Sequence, residues 1–63
     1  MKISLKAARV NKGLTQSEVA KTLNVGKKTV GSWENGKTKP SIAMVEPICI
    51  LYGVTYDDID WTA

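Results

Sequence analysis

Apolar residues in this chain recur at the three- and four-residue spacing of amphipathic helices, and they do not alternate over the length of a typical strand. Ser4, Thr15 and Ser41 are residues that often cap the start of a helix, and Thr15 with Glu18 has the spacing of a capping box. The pattern predicts an all-α domain with five helices, which span 5–12, 16–23, 27–34, 42–52 and 56–61.

The fourth predicted helix contains Pro47, which deletes a backbone hydrogen bond and crowds the preceding turn. We therefore expect either a bend there or a regular helix that begins near Pro47. The inward face of this helix is expected to carry Ile42, Val45, Ile48, Cys49 and Tyr52.

Only three residues, 24–26, separate the second and third helices, which is the length of the turn in a helix-turn-helix unit. Ala20 is small where the two helices must approach each other, and Asn24 tolerates the left-handed conformation that ends a helix. A shared core is expected from Val19, Leu23, Val25, Val30 and Trp33. This arrangement leaves Lys27, Lys28, Gly31 and Ser32 on the outer face of the third helix.

Length and composition describe a single folded domain over 1–63, because 63 residues leave no room for a second domain. One cysteine and no histidine exclude an internal disulfide and a structural zinc site, and no cofactor or small-molecule ligand is implied. No apolar run is long enough to span a bilayer or to form a signal peptide. We expect a cytoplasmic protein without a membrane partner.

The net charge of +3 conceals a polarised chain. All nine basic residues lie in 1–40 with only two glutamates, which gives that part +7, whereas 41–63 holds four acids and no basic residue. This polarity favours a polyanion as the partner of the first part. A solvated charged surface is the alternative.

Four linked motifs identify a resemblance that covers roughly residues 5–61: GLTQSEVA at 13–20, VG at 25–26, SWENGKTKPS at 32–41 and LYGVT at 51–55. Together they resemble the Cro/C1-type helix-turn-helix family of phage repressors and small bacterial regulators. The resemblance implies a compact five-helix fold that binds operator DNA, usually as a symmetric dimer. Asn24 stands where the family usually has glycine, and Pro47 where it usually has an ordinary helix former.

The predicted third helix breaks two local rules. Lys27 and Lys28 occupy its first turn, where the helix dipole disfavours cations, and Gly31 lies in its middle, at a cost of about 1 kcal/mol against alanine. Such violations are typical of functional sites. We expect Lys27, Lys28 and Ser32 to contact DNA bases, although the lysines are equally suited to phosphate and Ser32 to solvent.

The resemblance assigns further roles. It implies that Gln16 bridges the DNA backbone and the recognition helix, and we include it with the base-contacting residues; a role confined to the helix cap is the alternative. It implies an ion pair between Arg9 and Glu34, and a DNA contact is the alternative role of Arg9. The expected phosphate contacts are Thr15, Thr29, Asn35, Lys37, Thr38 and Lys39, and contact with a thymine methyl group is the alternative for Thr29. For residues 35–39, a plain surface loop is the alternative.

We therefore expect a sequence-specific DNA-binding regulator, a repressor of the Cro kind, that binds double-stranded operator DNA. An antitoxin or an interaction adaptor with the same fold is the alternative, whereas no nucleophile–base pair favours an enzyme. A homodimer on DNA, weak in solution, is expected to form through Tyr56, Ile59 and Trp61. Ile59 and Trp61 could instead pack on their own domain.

Overall fold

The computed structural model describes residues 1–61, and within them the chain forms four α-helices and one short 3-10 turn. The helices are α1 (Leu5–Asn11), α2 (Gln16–Leu23), α3 (Lys27–Glu34) and α4 (Ile42–Tyr52), and the 3-10 turn is Tyr56–Asp58. The predicted all-α fold is confirmed, and α2, α3 and α4 have the predicted bounds. None of the helices in the described residues has the length and hydropathy required to cross a membrane.

The prediction of a fifth helix over 56–61 is wrong. The 3-10 turn ends at Asp58, and Ile59 is extended, with φ −106° and ψ 136°. Ile59 forms an isolated parallel β-bridge with Ile3. The Ile3 N–H donates to the Asp58 carbonyl at 2.9 Å, and the Asp60 N–H donates to the Ile3 carbonyl at 2.8 Å. Pairing with the first residues of the chain therefore replaces the helical hydrogen bonds.

Side-chain caps explain where α1 and α2 begin. The Ser4 hydroxyl accepts from the Ala7 N–H at 3.0 Å. Thr15 and Glu18 form the predicted capping box, in which the Thr15 hydroxyl accepts from the Glu18 N–H at 3.1 Å and the Glu18 carboxylate accepts from the Thr15 N–H at 2.9 Å. Asn24 ends α2 in the expected left-handed conformation, with φ 57°.

The α4 helix passes through Pro47 and starts at Ile42, so the expectation of a regular helix that begins near Pro47 is wrong. Pro47 has no N–H to donate to the carbonyl of Ala43, one turn before it. Ser41 occupies the N-cap position, but its side chain makes no capping hydrogen bond within the described chain. Ile42 is 93% exposed, so it is not part of the inward face.

The core contains side chains from all four helices and from Ile59, which follows the 3-10 turn. Val19, Val30, Ile48 and Ile59 are almost completely buried, and Leu5, Ala8, Ala20, Trp33 and Tyr52 surround them. Because Val30 and Trp33 fix the inner face of α3, the opposite face of this helix is held toward solvent.

Candidate nucleic-acid interface

The turn between α2 and α3 sets the direction in which α3 leaves the core. The left-handed Asn24 reverses the chain, and the Val25 N–H returns a hydrogen bond to the Ala20 carbonyl at 2.9 Å. The α3 helix then starts at an N-cap glycine, Gly26, which has no side chain to cap the first turn. The N-cap residue therefore adds no side-chain acceptor at the end of α3 that carries Lys27 and Lys28, and a helix N-terminus favours an anion.

A shallow groove runs along the exposed face of α3. It is lined by Gln16, Lys27, Lys28, Gly31, Ser32, Asn35 and Lys37. The groove thus brings together all four residues predicted to contact bases and two of the six predicted to contact phosphate. Three of its seven lining residues are lysines and none is acidic. Its charge and its position suit a polyanion.

The loop after α3 is folded back on the end of that helix. The N–H groups of Lys37 and Thr38 both donate to the Ser32 carbonyl, at 3.0 and 3.4 Å. This loop therefore places Asn35 and Lys37 in the groove. Lys39 lies elsewhere, beside Pro40.

Gly31 leaves open space in the groove. A Cβ atom built at this position meets only the amide nitrogen of Gln16, at 3.9 Å, which is an ordinary contact distance. The internal packing of the domain therefore does not require glycine here. Because glycine has no side chain, it allows another molecule to approach the backbone of α3 closely at this position.

A hydrogen-bonded network lies behind the groove. The Nε atom of Arg9 donates to Glu34 Oε2 at 2.7 Å and its Nη2 atom donates to Glu34 Oε1 at 3.2 Å. The Nη1 atom of Arg9 donates to the Leu14 carbonyl at 2.8 Å. The two charged side chains are only 11% and 4% exposed. The hydrogen bond with Glu34 raises the pKa of Arg9, so the guanidinium stays charged.

Gln16 belongs to the same network. Its Nε2 atom donates to Glu34 Oε1 at 3.0 Å, which joins the start of α2 to the end of α3. The resemblance implies a link from Gln16 to the recognition helix, but it did not identify Glu34 as the partner, because 18 residues separate the two side chains and no local pattern connects them. Arg9 is held by Glu34 and Leu14, so it is part of the scaffold and does not line the groove.

A helix-turn-helix family model matches residues 5–59 of this chain. The chain belongs to the helix-turn-helix family. The resemblance to Cro/C1-type regulators is thereby confirmed. This is a family of DNA-binding transcriptional regulators and not of enzymes, in agreement with the prediction that the chain is not an enzyme.

Three relatives illustrate the range of similarity. An uncharacterized HTH-type transcriptional regulator of Methanocaldococcus jannaschii is 39% identical over 59 residues, which are 94% of this chain and 89% of the relative. A second uncharacterized regulator of this type, from Bacillus subtilis, is 30% identical over 97% of this chain and 92% of the relative. The cryptic phage CTXphi transcriptional repressor RstR of Vibrio cholerae is 41% identical over 73% of this chain, but only 41% of the repressor is covered. No solved structure is a significant match to the chain.

A second exposed surface of this helix-turn-helix protein is apolar. It consists of Pro40, Ile42, Val45, Tyr56 and Trp61, with Lys39 at its edge, and we call it the α4–aromatic surface. The rings of Tyr56 and Trp61 are stacked with centroids 5.4 Å apart, and the Trp61 indole N–H donates to the Tyr56 carbonyl at 2.9 Å. Tyr56 is 57% exposed.

Ile59 does not belong to this surface. Its side chain is 0% exposed, so the prediction that it contacts a second copy is wrong. The extended backbone that pairs with Ile3 turns this side chain into the core. The nearby carboxylate of Asp58 accepts from the Thr55 N–H at 2.9 Å, and hydrogen bonds with Thr55 lower the pKa of Asp58. Asp58 and Thr55 thus form a capping box at the start of the 3-10 turn.

Proposed function

We propose that this protein is a sequence-specific transcriptional repressor that places α3 in the major groove of operator DNA. The observation that carries the proposal is the groove along α3, which is lined by three lysines and no acidic residue. An α-helix fits the major groove, and lysine can donate to the N7 and O6 atoms of guanine there. The match to the helix-turn-helix family and the likeness to a phage repressor support it.

Lys27, Lys28 and Ser32 are the proposed base contacts on α3, with Gln16 beside them at the start of α2. Both lysines are exposed and can extend toward base edges, whereas Ser32 is half-buried and reaches only a base that comes close. Phosphate contacts are proposed for Thr15, Thr29, Asn35, Lys37, Thr38 and Lys39, all of which are exposed. Contacts of this second kind set the register of the protein on the duplex and do not read sequence.

The test compares Lys28, a proposed base contact, with Lys37, a proposed phosphate contact. Sequences are selected from a random DNA pool, and affinity for the selected site and for scrambled DNA is then measured over a range of salt concentrations. We expect Lys28→Ala to weaken the selected site by about 1–3 kcal/mol and to relax preference at one base pair. We expect Lys37→Ala to weaken all sequences alike and to reduce the salt slope by about one unit.

Two outcomes contradict the proposal at different levels. Unchanged base preference in Lys28→Ala would restrict that lysine to the DNA backbone. A wild-type protein that selects no sequence from the pool and does not bind heparin would refute DNA binding by the groove, and would favour the alternative function of an antitoxin or an adaptor.

We further propose that two copies bind DNA as a homodimer that is weak in solution. One domain measures 28 × 23 × 19 Å between Cα extremes, whereas half-sites one helical turn apart are about 34 Å from centre to centre. Two copies can therefore touch only through side chains at their edges. So small a contact lies below the range of about 1,200–2,000 Å² that is typical of stable interfaces.

The α4–aromatic surface is the proposed contact, with Tyr56 and Trp61 at its centre and Ile42 beside them. In a gel-shift titration on a two-fold operator, the wild type should fill both half-sites cooperatively, and Tyr56→Ala and Trp61→Ala should fill them independently. Ile50→Ala is the matched control, because Ile50 is 74% exposed on α4 but does not line this surface. Cooperativity that survives both aromatic substitutions would refute this contact, and independent filling by the wild type would refute the dimer.

A further inference from the structure

The α4–aromatic surface continues along α4 into a second shallow hollow. This adjoining hollow shares Ile42, Val45 and Tyr56 with the α4–aromatic surface. Lys39 borders only the α4–aromatic surface, whereas Glu46 lines only the adjoining hollow. A cation and an anion therefore lie on different sides of a shared apolar centre.

Both of these charged side chains are exposed, and within residues 1–61 neither has a hydrogen bond or an ion pair. Lys39 is the last basic residue of the chain, and every charged residue after it is acidic. Among the described residues that line the two hollows, Glu46 is the one acid. When a second copy contacts the protein through the same surface, the cation that it brings to Glu46 is therefore Lys39.

A two-fold axis makes the contacts between two copies reciprocal. Lys39 precedes Ile42 by three residues, and Glu46 follows Ile42 by four, which is about 6 Å or one turn along α4. If the two α4 helices are antiparallel and the axis passes near Ile42, Lys39 of each copy lies opposite Glu46 of the other. Parallel helices would bring like charges together, which is unfavourable.

We propose that Lys39 and Glu46 form two reciprocal ion pairs between the copies of the homodimer, and that these pairs hold the two α4 helices antiparallel. The inference rests on the homodimer proposed above and adds to it the orientation of the two copies. Ion pairs at the rim of an interface contribute mainly to specificity, so these charges decide which chains pair. Lys39 is also a proposed phosphate contact, and the two roles must be separated by experiment.

The test is a gel-shift titration on the two-fold operator, in which cooperativity is the ratio of the affinities for the second and the first half-site. This ratio cancels any effect of Lys39 on the affinity for a single half-site, such as the loss of a phosphate contact. Lys39→Glu and Glu46→Lys should each lower the ratio about tenfold, because each variant places like charges together at two points of the dimer. An equimolar mixture of the two variants should restore cooperative filling, since opposite charges meet at both points of the mixed dimer.

Lys6→Glu is the matched control. Lys6 is exposed on α1 and lines neither hollow, so this variant has the net charge of Lys39→Glu but an unaltered contact surface, and it should remain cooperative. The double variant Lys39→Glu/Glu46→Lys should also be cooperative, because it exchanges the charges of both pairs. Lys6→Glu/Glu46→Lys has the same net charge and should not be cooperative. Circular dichroism should show the wild-type helix content in every variant, because all three positions are exposed.

Two results would overturn the ion pairs and leave the dimer intact. The first is full cooperativity in Lys39→Glu or in Glu46→Lys. The second is a loss of cooperativity in both variants that neither the mixture nor the double variant Lys39→Glu/Glu46→Lys restores. Independent filling by the wild type would refute the homodimer together with this inference, whereas a wild type that selects no operator would refute the proposed function itself.

Discussion

Gly31→Ala should make the protein more stable and a weaker DNA binder at the same time. Glycine in the interior of a helix is less favourable than alanine by about 1 kcal/mol. In α3 the added methyl group meets only the Gln16 amide nitrogen, at 3.9 Å, so no steric cost opposes this gain. The expected increase in the free energy of unfolding is about 0.5–1 kcal/mol, or a rise in Tm of roughly 4 °C or more for a domain of this size.

The same methyl group projects into the groove that is proposed to receive DNA. An extra methyl group forced into a close-packed contact typically costs about 1–3 kcal/mol, so operator affinity should fall roughly fivefold or more. The effects on stability and on binding have opposite signs, and a general loss of structure cannot produce this combination. Thermal unfolding and a gel-shift titration of the same preparation measure the two quantities.

Gly13→Ala is the matched control. Gly13 also has open space around the position of a Cβ atom, but its φ is +75°, a conformation that costs an alanine about 1 kcal/mol. Gly13 does not line the groove, so this variant should lose stability and retain affinity. A loss of stability in Gly31→Ala would refute the steric reasoning. Greater stability with unchanged affinity would show that DNA does not approach the α3 backbone at Gly31.

Three further predictions concern stability. Glu34→Ala should lower the free energy of unfolding by about 3–5 kcal/mol, because it leaves Arg9 without its ion-pair partner. A double change of the pair to apolar residues should cost less than the worse single change. Additive costs in urea unfolding would show that the two residues do not interact. Burial, helped by the charge of Glu34, raises the pKa of Tyr52 to about 12. Ionisation of Tyr52 should therefore leave the free energy of unfolding unchanged below pH 10. As the pH rises from 10 toward 12, that free energy should fall by about 2–3 kcal/mol, because the unfolded chain loses this proton first. Tyrosinate absorbance in Tyr56→Phe, where Tyr52 is the sole tyrosine, checks this, and a midpoint near pH 10 in the folded protein contradicts it. Ile59→Ala should cost about 2–5 kcal/mol in the same urea assay, since this side chain is wholly buried, and a cost below 1 kcal/mol would refute its place in the core.

The helix-turn-helix unit could be predicted from the sequence because the signals that define it are local. The capping box of Thr15 and Glu18, the left-handed Asn24 and the inward pair Val30 and Trp33 each lie within a few residues of the feature they determine. The outer face of α3 follows from them by helical periodicity. Most of the candidate groove is on that face.

Contacts between distant residues could not be predicted in the same way. Tyr56, Ile59 and Trp61 have helical spacing in the sequence, yet the parallel bridge with Ile3, at the other end of the chain, turns Ile59 inward. The contact between Gln16 and Glu34 also links two elements whose relative position depends on the whole core. In both places tertiary structure overrides the local pattern.

The bridge between Ile3 and Ile59 also determines how the domain responds to mechanical force. Its two segments run in parallel, so pulling residue 1 and residue 61 apart draws them in opposite directions along their length. The hydrogen bonds from Ile3 to Asp58 and from Asp60 to Ile3 then carry the load together, in shear, instead of opening one after the other. Their rupture would withdraw Ile59 from the core and detach the turn that carries Tyr56 before the load reaches α2 and α3.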